Sequence, residues 1–387
     1  MKKIATFVGA AALLAATLVP AFAAGNSCTN STTGPSSNNT CSVTNTNTAT
    51  VNNVNDAIIR NTVTAFSNTG NNSASNNTLG GNVTTGNASL NATVSSVANV
   101  NTTNLTVGMG SSSNSGINEI TGPFSNNDAF VTNTRTANIW NSNTASVNNV
   151  VNATADTGSN RADNNTGPAV VRSGSASLGV NVLNHVNDSL TAVALGSGGT
   201  GNNTAGNSTT GPSSNNTATV TNTSDATVNN VNDLIINNIV DVLANTGRNR
   251  ASNNTLGADI TTGNAAAGVG VDNEGNINTT QVAMALGGFS QDASNGVTGP
   301  FSNNDTFLTN TNTTLVENWN NKCRSHNAPI NCDPTDLGVF NVDNDVADSG
   351  SNIADNNTGG GDVIAGWASL WKNLLTHLND SLTVIGQ

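Results

Sequence analysis

The stretch that decides the fold is Thr33-Gly34-Pro35-Ser36-Ser37-Asn38-Asn39, because nearly the same string returns three more times along the chain. The later copies begin at Thr121, Thr210 and Thr298, at spacings of 88, 89 and 88 residues. A second string, Ala-x-Asn-Asn-Thr, also occurs four times, beginning at Ala74, Ala162, Ala251 and Ala354. The copies of the second string are 88, 89 and 103 residues apart. Two strings that return in the same order in all four copies identify a true internal repeat.

The repeat defines the predicted domain organisation. Units one and three share the string A-T-V-N-N-V-N-D at Ala49–Asp56 and Ala226–Asp233, and units two and four share T-G-P-F-S-N-N-D. The fourth unit carries an insertion of about 15 residues around positions 322–336, since its two marker strings lie further apart. The predicted segments are a signal peptide at 1–24 and repeat units at 25–120, 121–209, 210–297 and 298–387.

The composition excludes several classes of protein. Only 35% of the 387 residues are hydrophobic, 3% are aromatic and 9% are charged, whereas 74 are Asn and none is Tyr. Globular domains average about 45–50% apolar and about 25% charged residues, and disordered chains usually carry more charge than this one. The net charge is -12 and the 11 basic residues are dispersed, which argues against a nucleic-acid partner.

The N-terminus predicts export. Lys2 and Lys3 precede an apolar run from Ile4 to Val19, and Ala21-Phe22-Ala23 then forms a small-residue cleavage pattern. We therefore expect a secreted protein, located outside the cell or at its surface. No later apolar run reaches the ~18 residues of a membrane span, so we expect no transmembrane segment.

Alternation of side chains within each unit predicts strands, and Asn and Gly at the breaks predict tight turns. In unit one these breaks are about 16 to 18 residues apart, which suggests roughly five coils per unit. We therefore predict an all-β fold, an elongated β-solenoid of four repeats with about twenty coils and a length on the order of 95 Å. Alternatives are a disordered linker and a string of four β-sandwich domains.

The C-terminal region predicts a capping helix. Its large apolar residues recur at helical spacing and would form one apolar face over the last coils. These residues are Trp367, Leu370, Trp371, Leu374, Leu375, Leu378 and Leu382. The matching segment Leu178–Leu190 has similar spacing but more β-branched residues, so both a helix and a pair of strands stay open there.

Four cysteines and an acidic cluster are the candidate sites. In an oxidising compartment we expect two local disulfides, one between Cys28 and Cys41 and one between Cys323 and Cys332. Asp343, Asp345 and Asp348 precede Gly350 in a D-x-D-x-x-D-x-G pattern. Carboxylates at this spacing are candidate Ca²⁺ ligands, although a solvated turn explains them as well. We expect no other cofactor.

No catalytic motif is recognisable, so we predict that the protein is not an enzyme. His185 and His377 belong to repeated H-x-N-D-S-L-T strings, which indicate a packing motif more than a Ser/His/Asp site. Each unit also contains alternating threonines, such as Thr44, Thr46 and Thr48. With five coils per unit these would return only on every fifth coil, which argues against an ice-binding surface.

The repeat style and composition resemble the Asn/Thr/Gly-rich repeat proteins of bacterial surfaces, including solenoid adhesins and surface-layer or matrix components. This resemblance implies a structural or adhesive β-rod that assembles into a layer, matrix or filament. Its expected partners are further copies of itself, or glycans and proteins of the cell surface. The alternative function is a carbohydrate-binding or polysaccharide-cleaving β-helix.

Overall fold

The computed structural model of the chain describes residues 4–8, 13–18, 25–107, 113–195, 202–284, 290–320 and 338–386. These residues form strands and turns, and none of them is helical. The all-β prediction is therefore confirmed. The strands are all parallel to their neighbours in the sheets, and every sheet is built from equivalent strands of successive repeats.

Each repeat forms one flat layer of strands. Two short strands, β1 (Ile4–Val8) and β2 (Leu13–Leu18), precede the first layer. Layer 1 contains β3 (Ser27–Thr33), β4 (Asn38–Asn68), β5 (Asn72–Ser73), β6 (Gly81–Thr84), β7 (Ala88–Ala98) and β8 (Val100–Val107). Layer 2 contains β9 (Asn114–Thr121), β10 (Asn126–Asp156), β11 (Asn160–Arg161), β12 (Ala169–Ser173), β13 (Ala176–Val186) and β14 (Ser189–Leu195).

The third and fourth repeats continue the same pattern. Layer 3 contains β15 (Asn202–Thr210), β16 (Asn215–Asn245), β17 (Arg248–Arg250), β18 (Ala258–Thr262), β19 (Ala265–Gly275) and β20 (Asn278–Met284). Layer 4 contains β21 (Ser290–Thr298), β22 (Asn303–Asn320), β23 (Gly338–Asp348), β24 (Ser351–Ile353), β25 (Gly361–Ile364), β26 (Ala368–Leu378) and β27 (Ser381–Gly386). The fourth layer has one strand more because residues 321–337 separate β22 from β23.

Equivalent residues of the four repeats stack directly on one another. Asn38, Asn126, Asn215 and Asn303 pair in this order, and the same register holds along the strands. We call such a set of equivalent positions a column and name it by its layer 1 residue. The predicted β-solenoid is confirmed, but the predicted coil of 16 to 18 residues is wrong, since one coil is a whole repeat. Four layers at ~4.8 Å give a stack of about 19 Å, not a rod of ~95 Å.

Within a layer the chain forms two facing walls. The long strand β4 makes one wall, and β3, β8 and β7 face it in turn. Side chains join the walls: Asn30 Nδ2 donates to the Thr40 carbonyl at 3.0 Å, and Asn53 Nδ2 donates to Thr103 Oγ1 at 2.8 Å. The turns that sequence analysis assigns to successive coils therefore reverse the chain inside one layer.

Turns at left-handed backbone positions recur in the same columns. The residue after the repeated Pro has a positive φ in every layer: 59° at Ser36, 57° at Phe124, 56° at Ser213 and 62° at Phe301. Gly158 has a φ of 79°, and a Cβ there would lie 1.8 Å from the Gly70 carbonyl oxygen of the layer below. Stacking thus requires glycine at this corner for two reasons, conformation and space.

Small apolar clusters fill the space between the walls and alternate with Asn residues along them. The largest cluster lies between β4 and β7 and between their equivalents, and includes Val94, Val151, Val182 and Val269. Inward side chains of one strand alternate with outward ones, as the burial of β10 shows. Because the walls are close and each cluster is short, Ala and Val suffice where an ordinary core would need aromatic residues.

The predicted C-terminal helix is wrong. Leu370, Trp371, Leu374, Leu375 and Leu378 lie in strand β26, and Trp367 immediately precedes it. Strand β26 pairs with β19. A helix in its place would leave the backbone groups on that edge of β19 without a partner strand. Leu370, Leu374 and Leu378 point into the inward columns, whereas Trp371 and Leu375 point outward. The segment Leu178–Leu190 likewise forms strands, β13 and the start of β14.

The two ends of the stack differ in what lies on them. Strands β1 and β2 pair in parallel with β7 and β8, on the edge of layer 1 that faces away from layer 2. The insertion predicted in unit four lies outside the described residues. Its flanks remain in register, since Asn320 pairs with Asn232 and Gly338 pairs with Ile235.

Candidate functional site: the two open edges of the stack

The most distinctive surface of the molecule is the pair of open strand edges at the two ends of the stack. In layers 2 and 3 each strand is paired on both sides. Strands β3 to β6 of layer 1 and all strands of layer 4 lack a second neighbour among the described residues. We call the free edge of layer 1 the lower edge and that of layer 4 the upper edge.

The backbone groups at the two edges are complementary. The N–H groups of Asn126, Asn215 and Asn303 donate to a carbonyl oxygen in the layer below, each at 2.9 Å. In a parallel sheet successive residues point their backbone groups to opposite neighbours. The outward-facing residues of β4, β10, β16 and β22 therefore bond downward, and the inward-facing residues bond upward. At the lower edge the outward-facing set is free, and at the upper edge the inward-facing set is free.

Asn ladders run through the stack and give it a direction. In the Asn53 column, Nδ2 of each Asn donates to Oδ1 of the Asn in the layer above, at 2.7 Å in all three steps. Columns with this arrangement in all four layers are those of Asn30, Asn39, Asn45, Asn53, Asn55, Asn61, Asn72 and Asn99. Each of these eight ladders begins on a carbonyl oxygen at the lower edge and ends on an amide NH₂ group at the upper edge. The exposed Asn38 column runs the other way, since each Nδ2 donates to the layer below.

Apolar side chains that are buried inside the stack are uncovered at its upper end. Val182 and Val271 are 0% and 3% exposed, whereas Leu374 in the same column is 48% exposed. The same holds for Leu370, which is 45% exposed in a column whose inner members are at 4%. The upper edge thus presents both unpaired backbone and core side chains, and burying apolar area of this kind is favourable.

Several columns alternate between two residue types from layer to layer. The Thr40 column reads Thr, Asp128, Thr217, Asp305, and the Ser75 column reads Ser, Asp163, Ser252, Asp355. In the second column the buried Asp163 accepts the Ser252 N–H at 2.7 Å. Each Asp therefore stacks on hydroxyl residues and never directly on another Asp in these columns. This alternation follows from the pairwise likeness of the units.

A charged cluster replaces the apolar core at the upper edge. Lys372 Nζ lies 3.1 Å from Asp343 Oδ2 and 3.1 Å from Asp345 Oδ2, and the Asp345 side chain is fully buried. In layer 3 the corresponding residues are Val269, Val240 and Val242. The pKa of Asp345 is raised to about 6, because burial and the hydrogen bond with Asp343 raise it more than Lys372 lowers it. Hydrogen bonds to Asp345 and Asp343 in turn raise the pKa of Lys372.

A second charged group lies on the outer side of layers 2 to 4. His185 Nδ1 is 2.8 Å from Glu274 Oε2 and its Nε2 is 2.5 Å from Asp188 Oδ2, while His377 Nε2 is 2.6 Å from Asp380 Oδ2. Burial lowers the pKa of His185, but the charge of Asp188 and the hydrogen bond with Glu274 outweigh it, so the net shift is upward.

The Asp188 carboxyl of this group is also perturbed, because burial raises its pKa against the opposing charge of His185. Ser189 points inward instead, and its hydroxyl accepts from Asn143 Nδ2 at 3.1 Å. The repeated H-x-N-D-S-L-T string therefore does not assemble a Ser/His/Asp site, in agreement with the packing interpretation.

The predicted disulfide between Cys28 and Cys41 is present, with a Cα–Cα distance of 5.6 Å. It joins β3 to β4 in layer 1, where the equivalent residues of layer 3 are Ala205 and Ala218. Cys323 and Cys332 lie outside the described residues, so their predicted pairing stays a prediction.

The predicted calcium ligands are not brought together. Asp343 and Asp345 face inward and share Lys372, whereas Asp348 faces outward and accepts the Gly350 N–H at 2.9 Å. Within the described ranges no group of three or more His, Cys, Asp or Glu side chains could hold a metal ion. Calcium binding stays a prediction without a geometric counterpart.

The alternating threonines are arranged differently from the sequence expectation. They face outward and stack on every layer, because one repeat is one layer. The array comprises Thr44, Thr132, Thr221 and Thr309, then Thr46, Thr134, Thr223 and Thr311, then Thr48, Thr136 and Thr313 with Asp225. The argument against an ice-binding surface assumed that these threonines return only on every fifth coil. It no longer holds, because they return on every layer.

Comparisons with known proteins add nothing to this geometry: no protein-family model, no curated protein and no solved structure matches the chain. No helix among the residues that the structure describes is long and apolar enough to cross a membrane. Sequence analysis missed the open edges and the Lys372 cluster. The columns of invariant Asn, at the spacing of the repeat, were the available signal for the stacking.

Proposed function

We propose that this is a secreted structural protein whose function is to assemble with further copies into an extracellular filament, layer or matrix. The observation that supports it is the pair of open edges, at which Asn ladders, apolar columns and strand backbones stop without a further neighbour among the described strands. Exposed strand edges of this length are strong templates for pairing with another chain. Proteins that do not assemble usually cover or disrupt such edges. The described strands of layer 4 are uncovered, and the Lys372 cluster is the group of inward charges on their edge.

The side surfaces support a structural role as well. The outward face of β4 and its equivalents is dominated by uncharged Thr, Ser and Asn side chains. Such a surface stays hydrated while the ends remain adhesive, so growth would proceed along the stack. The adhesive version of the proposal places cell-surface glycans or proteins on these side surfaces.

Imaging and diffraction of the secreted protein test this proposal. We expect electron micrographs of the concentrated mature protein to show filaments or sheets, and oriented samples to give a reflection at about 4.7–4.8 Å along the axis. A protein that stays monomeric at high concentration would contradict the proposal. A parallel screen on polysaccharides separates the carbohydrate alternative, since turnover of any glycan would overturn the structural function.

A further inference from the structure

We propose that the upper edge of one copy pairs, in parallel and in register, with the lower edge of the next copy. The occupant of both edges is thus a second copy of this chain, and layer 4 of one copy is followed by layer 1 of its neighbour. This inference rests on the proposed function and specifies its interface. It also fixes the direction of the assembly and the pairing of residues across the junction.

The backbone groups at the junction match in the same way as inside the molecule. At the lower edge the N–H of Asn38 is in the position from which Asn126, Asn215 and Asn303 donate to the layer below. At the upper edge the Ser302 carbonyl is equivalent to those of Ser37, Ser125 and Ser214, which accept these bonds. Joining the edges in register therefore repeats a hydrogen-bond pattern that the chain already makes three times.

The Asn ladders continue across the same junction. The Asn318 amide NH₂ at the upper edge meets the Asn53 carbonyl oxygen of the next copy, which repeats the bond between Asn230 and Asn318. The same holds for Asn304 with Asn39 and for Asn352 with Asn72. A head-to-head contact between two lower edges would instead place carbonyl oxygens against carbonyl oxygens. The ladders thus favour one polarity.

The alternating columns select the same polarity and order. Layer 4 resembles layer 2, and layer 1 resembles layer 3, so the junction repeats the step from layer 2 to layer 3. Asp305 then lies against Thr40 of the next copy, as Asp128 lies against Thr217. A contact between two upper edges would not place Asp305 and Asp355 against the hydroxyl residues of their own columns, because an isologous contact does not repeat the order of the layers.

The lower edge already accepts parallel strands in this chain. Strand β1 pairs with β7 from Ile4 opposite Asn91, and β2 pairs with β8 from Leu13 opposite Val100. These two strands belong to the predicted signal peptide. In the proposed junction β26 and β27 of the preceding copy pair with β7 and β8, where β1 and β2 lie in the unprocessed chain. Removal of the N-terminal segment would therefore free the edges of β7 and β8 for this pairing.

This interface joins two different surfaces by a step that does not close on itself. A heterologous contact of this kind generates an open helical or straight assembly. Since each copy contributes four layers, each added copy lengthens the stack by about 19 Å.

Engineered cysteines in the Thr48 column test the junction. The double variant Thr48→Cys with Thr313→Cys places one cysteine at each edge, both on outward-facing positions. Within one chain the two Cα atoms are three layers apart, about 14 Å, whereas across the junction they are ~4.8 Å apart. Only the second distance suits a disulfide, which needs roughly 4.4–6.8 Å. Under copper-phenanthroline we expect a series of dimers, trimers and longer chains on a non-reducing gel.

The matched control moves one cysteine along its strand. Thr48→Cys with Thr309→Cys lies four residues off register, so we expect at least tenfold less cross-linking. Thr44→Cys with Thr132→Cys lies in one column of adjacent layers and should close within the chain. The single variants Thr48→Cys and Thr313→Cys should give no dimer, and a dimer from either would overturn the polarity.

Micrographs of the same samples distinguish a failure of the proposed junction from a failure of the proposed structural function. Filaments with equal or greater cross-linking of the off-register pair would overturn the junction while leaving the structural function intact. Absence of filaments together with absence of cross-links would overturn both.

Discussion

Layers 2 and 3 and layers 1 and 4 are built from nearly the same columns, yet their surroundings differ. Asn141 and Asn230 are fully buried between two layers, whereas their equivalents Asn53 and Asn318 each have a layer on one side only. The inner layers are complete because of their position, not because of a richer sequence. The apolar side chains exposed at the upper end, such as Leu370 and Leu374, are therefore equivalent to residues that the inner layers bury.

The end layers also carry features that the inner layers lack. Layer 1 contains the Cys28–Cys41 disulfide where layer 3 has two alanines, and layer 4 contains the Lys372 cluster where layer 3 has three valines. A disulfide stabilises a layer that has only one neighbour. The Lys372 cluster instead makes the upper edge costly to bury when both carboxylates are ionised.

The largest difference in stability between an inner and an end layer is expected when proline is placed in the Thr48 column, either in layer 2 or in layer 1. Thr136→Pro removes an N–H that bonds to layer 1, leaves its carbonyl partner unpaired and brings the ring against the lower strand. We expect a loss of about 4 kcal/mol in the free energy of unfolding, measured by denaturant titration. Thr48→Pro places the ring at the open lower edge, where proline is tolerated.

The Thr48→Pro variant should therefore fold with a loss below about 1 kcal/mol and fail to form filaments. Thr48→Ala is its control and should assemble normally. Equal destabilisation by the two prolines would contradict the assigned direction of the hydrogen bonds.

The next contrast concerns one Asn ladder. Asn230→Leu leaves the Asn141 amide and the Asn318 carbonyl without their partner inside the stack, so we expect a loss of about 3 kcal/mol. Asn318→Leu interrupts the same ladder at its upper end, where water replaces the missing partner, and we expect about 1 kcal/mol. Equilibrium unfolding in urea measures both, and a larger loss for Asn318→Leu would invert the comparison.

The disulfide should matter for layer 1 and little for the others. Replacing both Cys28 and Cys41 by Ser should lower the free energy of unfolding by about 2–3 kcal/mol, since the bond closes a short loop. Amide hydrogen exchange should show faster opening confined to β3 and the first part of β4. The converse variant, Ala205→Cys with Ala218→Cys, tests whether the same columns accept a disulfide in layer 3. Faster exchange throughout all four layers would contradict a local role.

The smallest expected effect is a dependence on pH. Because the pKa of Asp345 is raised to about 6, the folded protein binds more protons than the unfolded chain between pH 4 and pH 6, and stability falls as the pH rises through this range. The raised pKa of His185 acts in the same direction, since its contribution is complete below about pH 6.5 and is lost above its folded pKa.

We expect Asp345→Asn to remove the first part, about 1 kcal/mol after allowance for screening by solvent, and to speed assembly at pH 7.5. The groups around Asp345 are Asp343 and Lys372, with Val242 and Val269 beneath them. Thermal melting and light scattering at pH 5 and pH 7.5 provide the measurement. Assembly that becomes faster with rising pH in the unaltered protein would contradict the sign.

The sequence predicts the repeat, the all-β class and the solenoid, because two strings return in the same order in all four units, 88 or 89 residues apart except across the insertion of unit four. It does not predict the coil length, because the turns that reverse the chain within a layer look the same as turns between coils. The helix at Trp367–Leu378 fails for a related reason. Its helical spacing arises from inward leucines and outward tryptophan and leucine on one strand, and the free edge of β19 decides between the two structures.

The candidate site could not be predicted from patterns of neighbouring residues in the sequence. Asp343 and Asp345 are recognisable as an acidic pair, but Lys372 lies far along the chain and meets them only because β23 and β26 face each other. The complementarity of the two edges likewise appears only when the layers are stacked. Its trace in the sequence is the pairwise likeness of units one and three and of units two and four.

Cryo-electron microscopy of the assembled protein would show whether one repeat is one layer and whether successive copies continue the stack. We predict a polar filament in which successive copies are related by an axial rise of about 19 Å and in which layers are spaced by ~4.8 Å. A rise near 95 Å would be inconsistent with one repeat per layer, and alternating head-to-head and tail-to-tail contacts would be inconsistent with the proposed junction.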